Sequence, residues 1–247
     1  MFDLYIERSP AVFKAAVMLE ECGYDYTCAH VSVTRGDQHD PDFRAMSPNG
    51  KVPLLVDHQP AGGGEKVTVF DSGAILIYLA EKSGRFLSDD LRVRTRTFQW
   101  LFWQASGLSP FGGQVIHFQR FAPEHTREYG LLRYLGEVRR HFSVLDQHLE
   151  GRDYIAGDYS IADIGCHGWV EMFDRFELDL KEWPNLHRWW KAIAKRPAVR
   201  AAYDRVHGAQ TPVKVTDSEW MQNMFGEKAA GVMSAPMRYV PKPKVLD

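Results

Sequence analysis

Two short segments of the chain combine residue types that suit recognition of a small peptide. Residues 47–53 read SPNGKVP and lead into an apolar strand, and residues 69–73 read VFDSG, where a second strand passes directly into a helix. Pro53 favours an extended conformation at Val52, which leaves the backbone amide and carbonyl of Val52 outside regular helical bonding. We therefore expect an extended ligand to pair with the backbone of Val52.

Charged and polar side chains in these segments match the two ends of a peptide. Ser72 and its neighbouring amides are expected at a helix N-terminus, which favours an anion such as a carboxylate. Asp71 suits the ammonium group on the same carbon atom, and Lys51 suits a second carboxylate at the far end of the ligand. A turn, a helix cap and a solvated lysine explain each residue when it is taken alone, so the predicted peptide site rests on their combination.

Ser9 lies between the first predicted strand and Pro10, a residue that suits the first position of a helix. Its hydroxyl is therefore expected at the helix N-terminus, where free amides and the helix dipole favour an anion. A thiolate is one such anion, because lowering a thiol pKa of roughly 8.5 by ~2 units raises the ionised fraction at pH 7 from about 3% to about three quarters. The alternative role of Ser9 is that of a simple helix cap.

The composition of the 247-residue chain fits two domains and limits the classes of partner. Hydrophobic residues make up 45% of the sequence, which is enough for each domain to bury a core. The 30 basic and 32 acidic residues leave a net charge of −2, so charge gives no reason to expect nucleic acid or an anionic membrane as a partner. The N-terminus lacks a signal-peptide pattern and no apolar run approaches the ~20 residues of a membrane span, so we expect a cytoplasmic protein.

The cysteine and histidine patterns predict neither a metal site nor a protein thiol nucleophile. Cys22, Cys28 and Cys166 form no C-x-x-C pair, and the 10 histidines show no helical zinc pattern. We expect these cysteines to be small apolar groups in a reducing compartment. If thiol chemistry takes place, the thiol must arrive with the ligand.

The order of predicted elements is that of a thioredoxin-like domain followed by a helical domain. A β-α-β opening, the Pro53 strand, a hairpin over residues 62–64 and a closing helix predict an α/β domain over residues 1–84. Helical patterns dominate residues 89–205, which predicts an all-α domain, and residues 206–247 form a C-terminal extension. Within the helical domain, Ser160 and Asp163 predict a capping box with a structural role.

Further motifs extend along both domains. They are DLY (3–5), Lys14, LEE (19–21), Gln38, SPNGKVP (47–53), FDSGAIL (70–76), YLAEK (78–82), QWLFWQ (99–104), Gly107, Leu108, Pro110, Gln114, Phe118, Ala122 and Pro123. On these residues the chain resembles the cytosolic glutathione transferases, specifically the bacterial Nu class, over roughly residues 2–205.

The resemblance implies a glutathione transferase fold, a homodimer, and glutathione as co-substrate without a metal. It implies that Ser9, in place of the class threonine, faces the glutathione sulfur as the catalytic residue. The glutathione-binding residues that it implies are Gln38, Lys51, Val52, Pro53, Asp71, Ser72 and Arg133. The implied activity is glutathione-dependent disulfide reduction, in which two glutathione thiols act in one site. Conjugation or thiolytic cleavage of an aromatic electrophile, for example an aryl ether, and non-catalytic glutathione binding are the alternatives.

Two residues depart from the class pattern. Ala11 stands where the class carries an asparagine whose amide also faces the sulfur, so one donor to the thiolate is missing. If that asparagine is the main donor, we expect activity to be weaker or directed to a different substrate. Asp71 replaces the more frequent glutamate, which keeps the charge and shortens its reach. Arg133 is a candidate for contacting glutathione across the subunit boundary, and a solvated helix arginine is the alternative.

A second-substrate pocket is expected on the helix that faces the sulfur. Its candidate residues are Leu108, Phe111, Gln114 and Phe118, for which ordinary helical core is the alternative. Glycines between Gly107 and Gly113 predict a local break or kink that makes room for the pocket.

The C-terminal extension contains apolar residues at helical spacing. They are Trp220, Met221, Met224 and Phe225. We expect this extension to fold over the pocket mouth or onto the partner subunit, with a disordered end as the alternative.

Overall fold

A four-stranded sheet forms the centre of the N-terminal part of the protein. The computed structural model describes residues 1–210 together with residues 219, 223 and 224. The strands are β1 (Phe2–Ile6), β2 (Tyr26–His30), β3 (Leu54–Asp57) and β4 (Val67–Phe70). Their order is β2-β1-β3-β4, with β1 parallel to β2 and the other neighbours antiparallel.

Helices cover both faces of this sheet. They are α1 (Pro10–Cys22), α2 (Pro41–Met46) and α3 (Ser72–Ser83). Successive residues of a strand point to opposite faces, and so Leu4 and Ile6 pack in the core with α1 and α3, whereas Tyr5 packs with Phe43 of α2. This arrangement confirms the predicted thioredoxin-like domain.

The rest of the described chain is helical, which confirms the predicted second domain. Its helices are α4 (Leu91–Trp103), α5 (Ser109–Arg120), α6 (Glu124–His148), α7 (Ile161–Val170), α8 (Pro184–Ala194) and α9 (Pro197–Gly208). Helix α1 packs against α7 and α9, so one continuous core joins the two domains. No helix in the described residues has both the length and the apolar character needed to cross a membrane. The division of the chain at residues 84, 89 and 205 stays a prediction.

The break in the long helical run lies slightly earlier than its glycines suggest. A π-helical turn, Gln104–Leu108, separates α4 from α5, whereas Gly112 and Gly113 lie in regular α5. Gly112 is required by packing, because an added Cβ would lie 2.6 Å from the Trp169 ring. A break in the long helical run is thus present, but it lies at Gln104–Leu108 and not over the predicted interval from Gly107 to Gly113. The predicted packing of the tail falls outside the described residues, apart from Met224.

The predicted capping box at the start of α7 is present and extends into a buried network. One oxygen of Asp163 accepts hydrogen bonds from the Ile155 amide at 3.0 Å and the Trp189 indole at 2.8 Å. The other oxygen accepts from the Ser160 amide at 3.0 Å and the Ser160 hydroxyl at 3.1 Å. Burial raises the pKa of Asp163 to about 6, against the effect of these donors. The carboxylate therefore joins α7, α8 and the preceding loop.

Helices α5 and α6 cross closely at a buried glycine. A Cβ added to Gly130 would lie 2.0–2.4 Å from ring atoms of Phe118, whereas one added to Gly136 on the same helix would meet nothing within 4 Å. The position of Phe118 therefore depends on the missing side chain at Gly130.

We predict that Asp163→Asn destabilises the fold by about 3 kcal/mol, because either amide orientation turns an N–H group toward a buried N–H donor. For a protein of this size that corresponds to a Tm lower by roughly 6–12 °C, measured by calorimetry. The exposed Asp158→Asn should change stability by less than about 0.5 kcal/mol. Equal melting temperatures for the two variants would contradict the network.

A second prediction concerns the helix crossing. Gly130→Ala should cost about 1–3 kcal/mol because the Phe118 ring must move, while Gly136→Ala should stabilise α6 by about 0.5–1 kcal/mol through helix propensity. Urea denaturation of both variants measures the difference. Stabilisation by both substitutions would contradict the close contact between α5 and α6 at Gly130.

Candidate active site

The N-terminus of α1 is open to an anion at Ser9. Ser9 is extended and half-buried, and its Oγ accepts a hydrogen bond from the Val12 amide at 3.3 Å, which confirms the predicted N-cap. Pro10 occupies the first helical position and has no amide hydrogen. The Ala11 amide makes no hydrogen bond within the described residues. An anion beside Ser9 would therefore meet a hydroxyl, a free amide and the positive end of the helix.

The segment before β3 presents backbone groups that are not used by the sheet. Val52 and Pro53 are joined by a cis peptide bond. The Val52 amide and carbonyl make no backbone hydrogen bond in the described part of the chain. The Ser47 hydroxyl donates to the Lys51 carbonyl at 3.0 Å and holds the preceding turn, while the Lys51 side chain is exposed. The Val52 backbone is thus free to pair with an extended ligand, and that pairing stays a prediction.

Asp71, and not Ser72, caps α3. Asp71 Oδ1 accepts from the Gly73 amide at 2.8 Å and the Ala74 amide at 3.4 Å, and Ser72 takes the first helical position. The backbone of Asp71 has φ 73°, which is uncommon for a residue other than glycine and occurs preferentially at functional sites. The carboxylate that we expected to bind an ammonium group therefore also stabilises the helix.

The sheet brings Ser9, Val52 and Asp71 to one edge. Helix α1 follows the C-terminal end of β1, Asp71 follows the C-terminal end of β4, and Val52 precedes β3. Since β3 runs antiparallel to both β1 and β4, its start lies at the same edge as their ends. Ser9, Val52 and Asp71 are thus on one side of the thioredoxin-like domain.

Gln38 is buried beside a residue of the C-terminal extension. Its Nε2 donates to the backbone carbonyl of Asn223 at 3.0 Å, and the side-chain Nδ2 of Asn223 donates to the Thr34 carbonyl at 2.6 Å. His39 Nε2 also lies 2.8 Å from the Asn223 carbonyl. The Gln38 Oε1 is buried without a hydrogen-bond partner in the described part of the chain. Sequence reasoning missed Asn223, because an isolated asparagine in a tail without motifs gives no signal.

Of the expected second-substrate residues, Leu108 ends the π-helical turn, and the others, Phe111, Gln114 and Phe118, lie along α5. Phe111 and Phe118 are half-buried and flank Tyr134, at ring distances of 6.1 and 5.5 Å. Gln114 is exposed, whereas Leu108 is fully buried in the core. The two phenylalanines thus form an aromatic group with α6, and the pocket itself stays a prediction.

Arg133 on α6 is exposed and paired locally. Its guanidinium donates to Glu137 Oε1 at 2.7 Å, and Arg140 donates to the other Glu137 oxygen at 2.9 Å. These hydrogen bonds lower the pKa of Glu137, and the one from Arg133 has the larger effect. Contact of Arg133 with glutathione across a subunit boundary stays a prediction.

The cysteines of the protein are not prepared as nucleophiles. Cys22, Cys28 and Cys166 are free thiols, and burial raises the pKa of each. Within the described residues, no group of three or more His, Cys, Asp or Glu side chains has an arrangement suited to a metal ion. A reactive thiolate at Ser9 must therefore belong to a ligand.

Comparison with known proteins identifies the family. Residues 8–82 match the glutathione S-transferase N-terminal domain, and residues 109–197 match the glutathione S-transferase C-terminal domain. The chain is 45% identical to the disulfide-bond oxidoreductase YfcG of Escherichia coli (strain K12) over 203 residues, which cover 82% of this chain and 94% of that protein.

Two solved structures extend the comparison to ligands. A glutathione transferase from Burkholderia graminis, with two glutathione molecules bound per subunit, is 36% identical with a TM-score of 0.76, covering 82% of this chain and 87% of that one. One from Pseudomonas putida, with one glutathione disulfide bound per subunit, is 38% identical with a TM-score of 0.75, covering 81% and 90%. The chain belongs to the glutathione S-transferase family.

Proposed function

We propose that this protein catalyses glutathione-dependent disulfide reduction. The observation that carries the proposal is the position of Ser9 at the open N-terminus of α1, on the same sheet edge as the unused backbone of Val52. The similar Escherichia coli protein is a disulfide-bond oxidoreductase, and two similar structures hold two glutathione molecules or one glutathione disulfide. Those ligands are the reductant and the oxidised product of such a reaction.

The site residues suggest how glutathione is oriented. The γ-glutamyl end, which carries both an ammonium and a carboxylate group, is placed at Asp71 and Ser72. The cysteinyl backbone pairs with Val52, next to Pro53, and this places the sulfur at Ser9. The glycyl carboxylate reaches Lys51, and Arg133 of the partner subunit supplies a further cation. The free Oε1 of Gln38 is left to accept a hydrogen bond from an N–H group of the tripeptide.

The reaction then requires two glutathione molecules. The Ser9 hydroxyl and the α1 dipole stabilise the thiolate of the first molecule. This thiolate attacks one sulfur of the substrate disulfide, the S–S bond breaks, and the leaving thiolate takes a proton from water. The second glutathione thiolate attacks the glutathione sulfur of the mixed disulfide. The products are glutathione disulfide and a second substrate thiol, and two electrons have passed from two glutathione molecules to the substrate.

A second candidate activity is conjugation to, or thiolytic cleavage of, an aromatic electrophile. The aromatic group of Phe111, Phe118 and Tyr134 favours it, because an aromatic substrate can stack on such rings. Non-catalytic glutathione binding is the third alternative, since Ala11 brings no side-chain donor. Turnover of a small disulfide indicates disulfide reduction, and turnover of an aryl halide indicates conjugation or thiolytic cleavage. Binding of glutathione without turnover of either indicates a non-catalytic protein.

We also infer a homodimer and a cytoplasmic location. An apolar groove of about 470 Å³ lies between β4, α3 and α4, next to Phe70 and Phe102. Phe102 is 60% and Phe70 45% exposed, and an exposed apolar patch of this kind suits burial against a second copy. The three free cysteines fit a reducing compartment.

The test of catalysis is a series of substitutions at Ser9. Ser9→Ala removes the hydroxyl and should lower kcat/KM for glutathione-dependent reduction of hydroxyethyl disulfide by about 10–100-fold. Ser9→Thr keeps the hydroxyl and should retain most of the activity. Ser9→Asp keeps a good helix cap but repels a thiolate, so it should be inactive while as stable as wild type. Activity of Ser9→Asp equal to wild type, or no glutathione binding by calorimetry, would falsify the proposal.

The test of the dimer is Phe102→Asp. A charge at the centre of an apolar interface should shift the protein to a monomer in sedimentation velocity. Arg200→Asp on α9 is the matched surface control and should leave the sedimentation coefficient of wild type unchanged. A wild-type monomer, or a dimer that survives Phe102→Asp, speaks against this interface.

A further inference from the structure

Lys14 of α1 is buried at the junction of the two domains, with 2% of its surface exposed. Its Nζ donates to Gln104 Oε1 at 2.8 Å and to Ser109 Oγ at 3.2 Å, and Ser109 Oγ donates in turn to Gln104 Oε1 at 2.8 Å. Both acceptors flank the break between α4 and α5. Because both are neutral, they solvate the ammonium group without cancelling its charge.

Lys14 remains mostly cationic near neutral pH. Burial lowers the pKa of Lys14 to about 8, and the negative charge of Asp71 acts in the opposite direction. Gln104 turns its carbonyl oxygen to the ammonium although its own Nε2 is then buried without a partner in the described part of the chain. The local structure is therefore arranged around a positive charge.

Lys14 lies one turn into α1, four residues after Pro10, the first residue of the helix. Side chains of a helix lean toward its N-terminus, so Lys14 leans toward Ser9. A Cβ placed on Gly168 of α7 would lie 2.9 Å from the Pro10 carbonyl and 3.6 Å from Lys14 Cγ, so the lysine stem runs beside the first residue of the helix. Asp71, at the opposite side of the candidate site, is close enough to affect Lys14.

We propose that Lys14 is a positioning residue whose buried charge stabilises the thiolate of glutathione through the first turn of α1. The inference rests on the proposed function. In this role Lys14 exchanges no proton with the sulfur. Two of its three N–H donors are directed at Gln104 and Ser109, and the thiol proton passes to water. The low polarity around Lys14 transmits its field to the sulfur more strongly than water would.

Three substitutions separate the charge from its packing. Gln104→Glu keeps the acceptor and its shape but neutralises the cation, and Lys14→Met removes the cation at similar length. Ser109→Ala removes one acceptor and leaves the charge.

The readout is the pKa of the bound glutathione thiol, which is measured through the ultraviolet absorbance of the thiolate. We expect it to rise by about one unit in Gln104→Glu and Lys14→Met, and to stay unchanged in Ser109→Ala.

The controls distinguish this inference from the proposed function. Affinity for S-methylglutathione, which carries no thiolate, should be the same in all variants. A wild-type protein that lowers the thiol pKa, together with an unchanged pKa in Gln104→Glu, would overturn the role of Lys14 and leave the proposed function intact. If Lys14→Met does not fold, Gln104→Glu decides alone. A wild-type protein that does not bind glutathione would overturn both.

Discussion

The antiparallel pairing of β3 with β1 is the constraint on which the candidate site depends. It brings the start of β3 beside the end of β1, and therefore Val52 beside the segment that leads to Ser9. The pairing of β3 with β4 adds Asp71 at the same edge. The site depends on the register of β3. A shift of one residue in its pairing would turn its side chains to the opposite face of the sheet.

Helix α1 connects this edge to the helical domain. Phe13 stacks on Tyr203 of α9 with ring centroids 4.0 Å apart, and Glu21 pairs with Arg196 at 2.5 and 2.9 Å. Both contacts fix the helix along its length, so the direction of its dipole is set by the second domain as well as by the sheet. The N-terminal domain supplies the ends of the binding site, and the helical domain fixes the helix that acts on the sulfur.

Local signals in the sequence predicted most of the fold, whereas long-range contacts did not follow from it. The Ser9 cap and the box at Ser160 and Asp163 are encoded within four residues, and both are present. The cap of α3 could not be assigned from the sequence, because Asp71 and Ser72 are both good caps by residue type. Only the backbone, with φ 73° at Asp71, decides between them. The burial of Lys14 could not be predicted, since its partner Gln104 lies 90 residues away.

The geometry at Ser9 explains how the site can favour a thiolate without the asparagine that the Nu class carries at the position of Ala11. The Ser9 oxygen already accepts a hydrogen bond from the Val12 amide, which engages a lone pair and leaves the hydroxyl hydrogen as a donor. The same bond holds the Ser9 oxygen at the helix N-terminus, and the hydroxyl hydrogen can rotate toward a bound anion. With no cysteine of low pKa in the protein, the thiolate at this site belongs to a ligand. The Ser9 hydroxyl, the Ala11 amide and the helix end can favour it, together with the buried charge of Lys14. The reactive sulfur can then belong to a ligand that leaves with the product, so the protein itself need not be oxidised in the cycle.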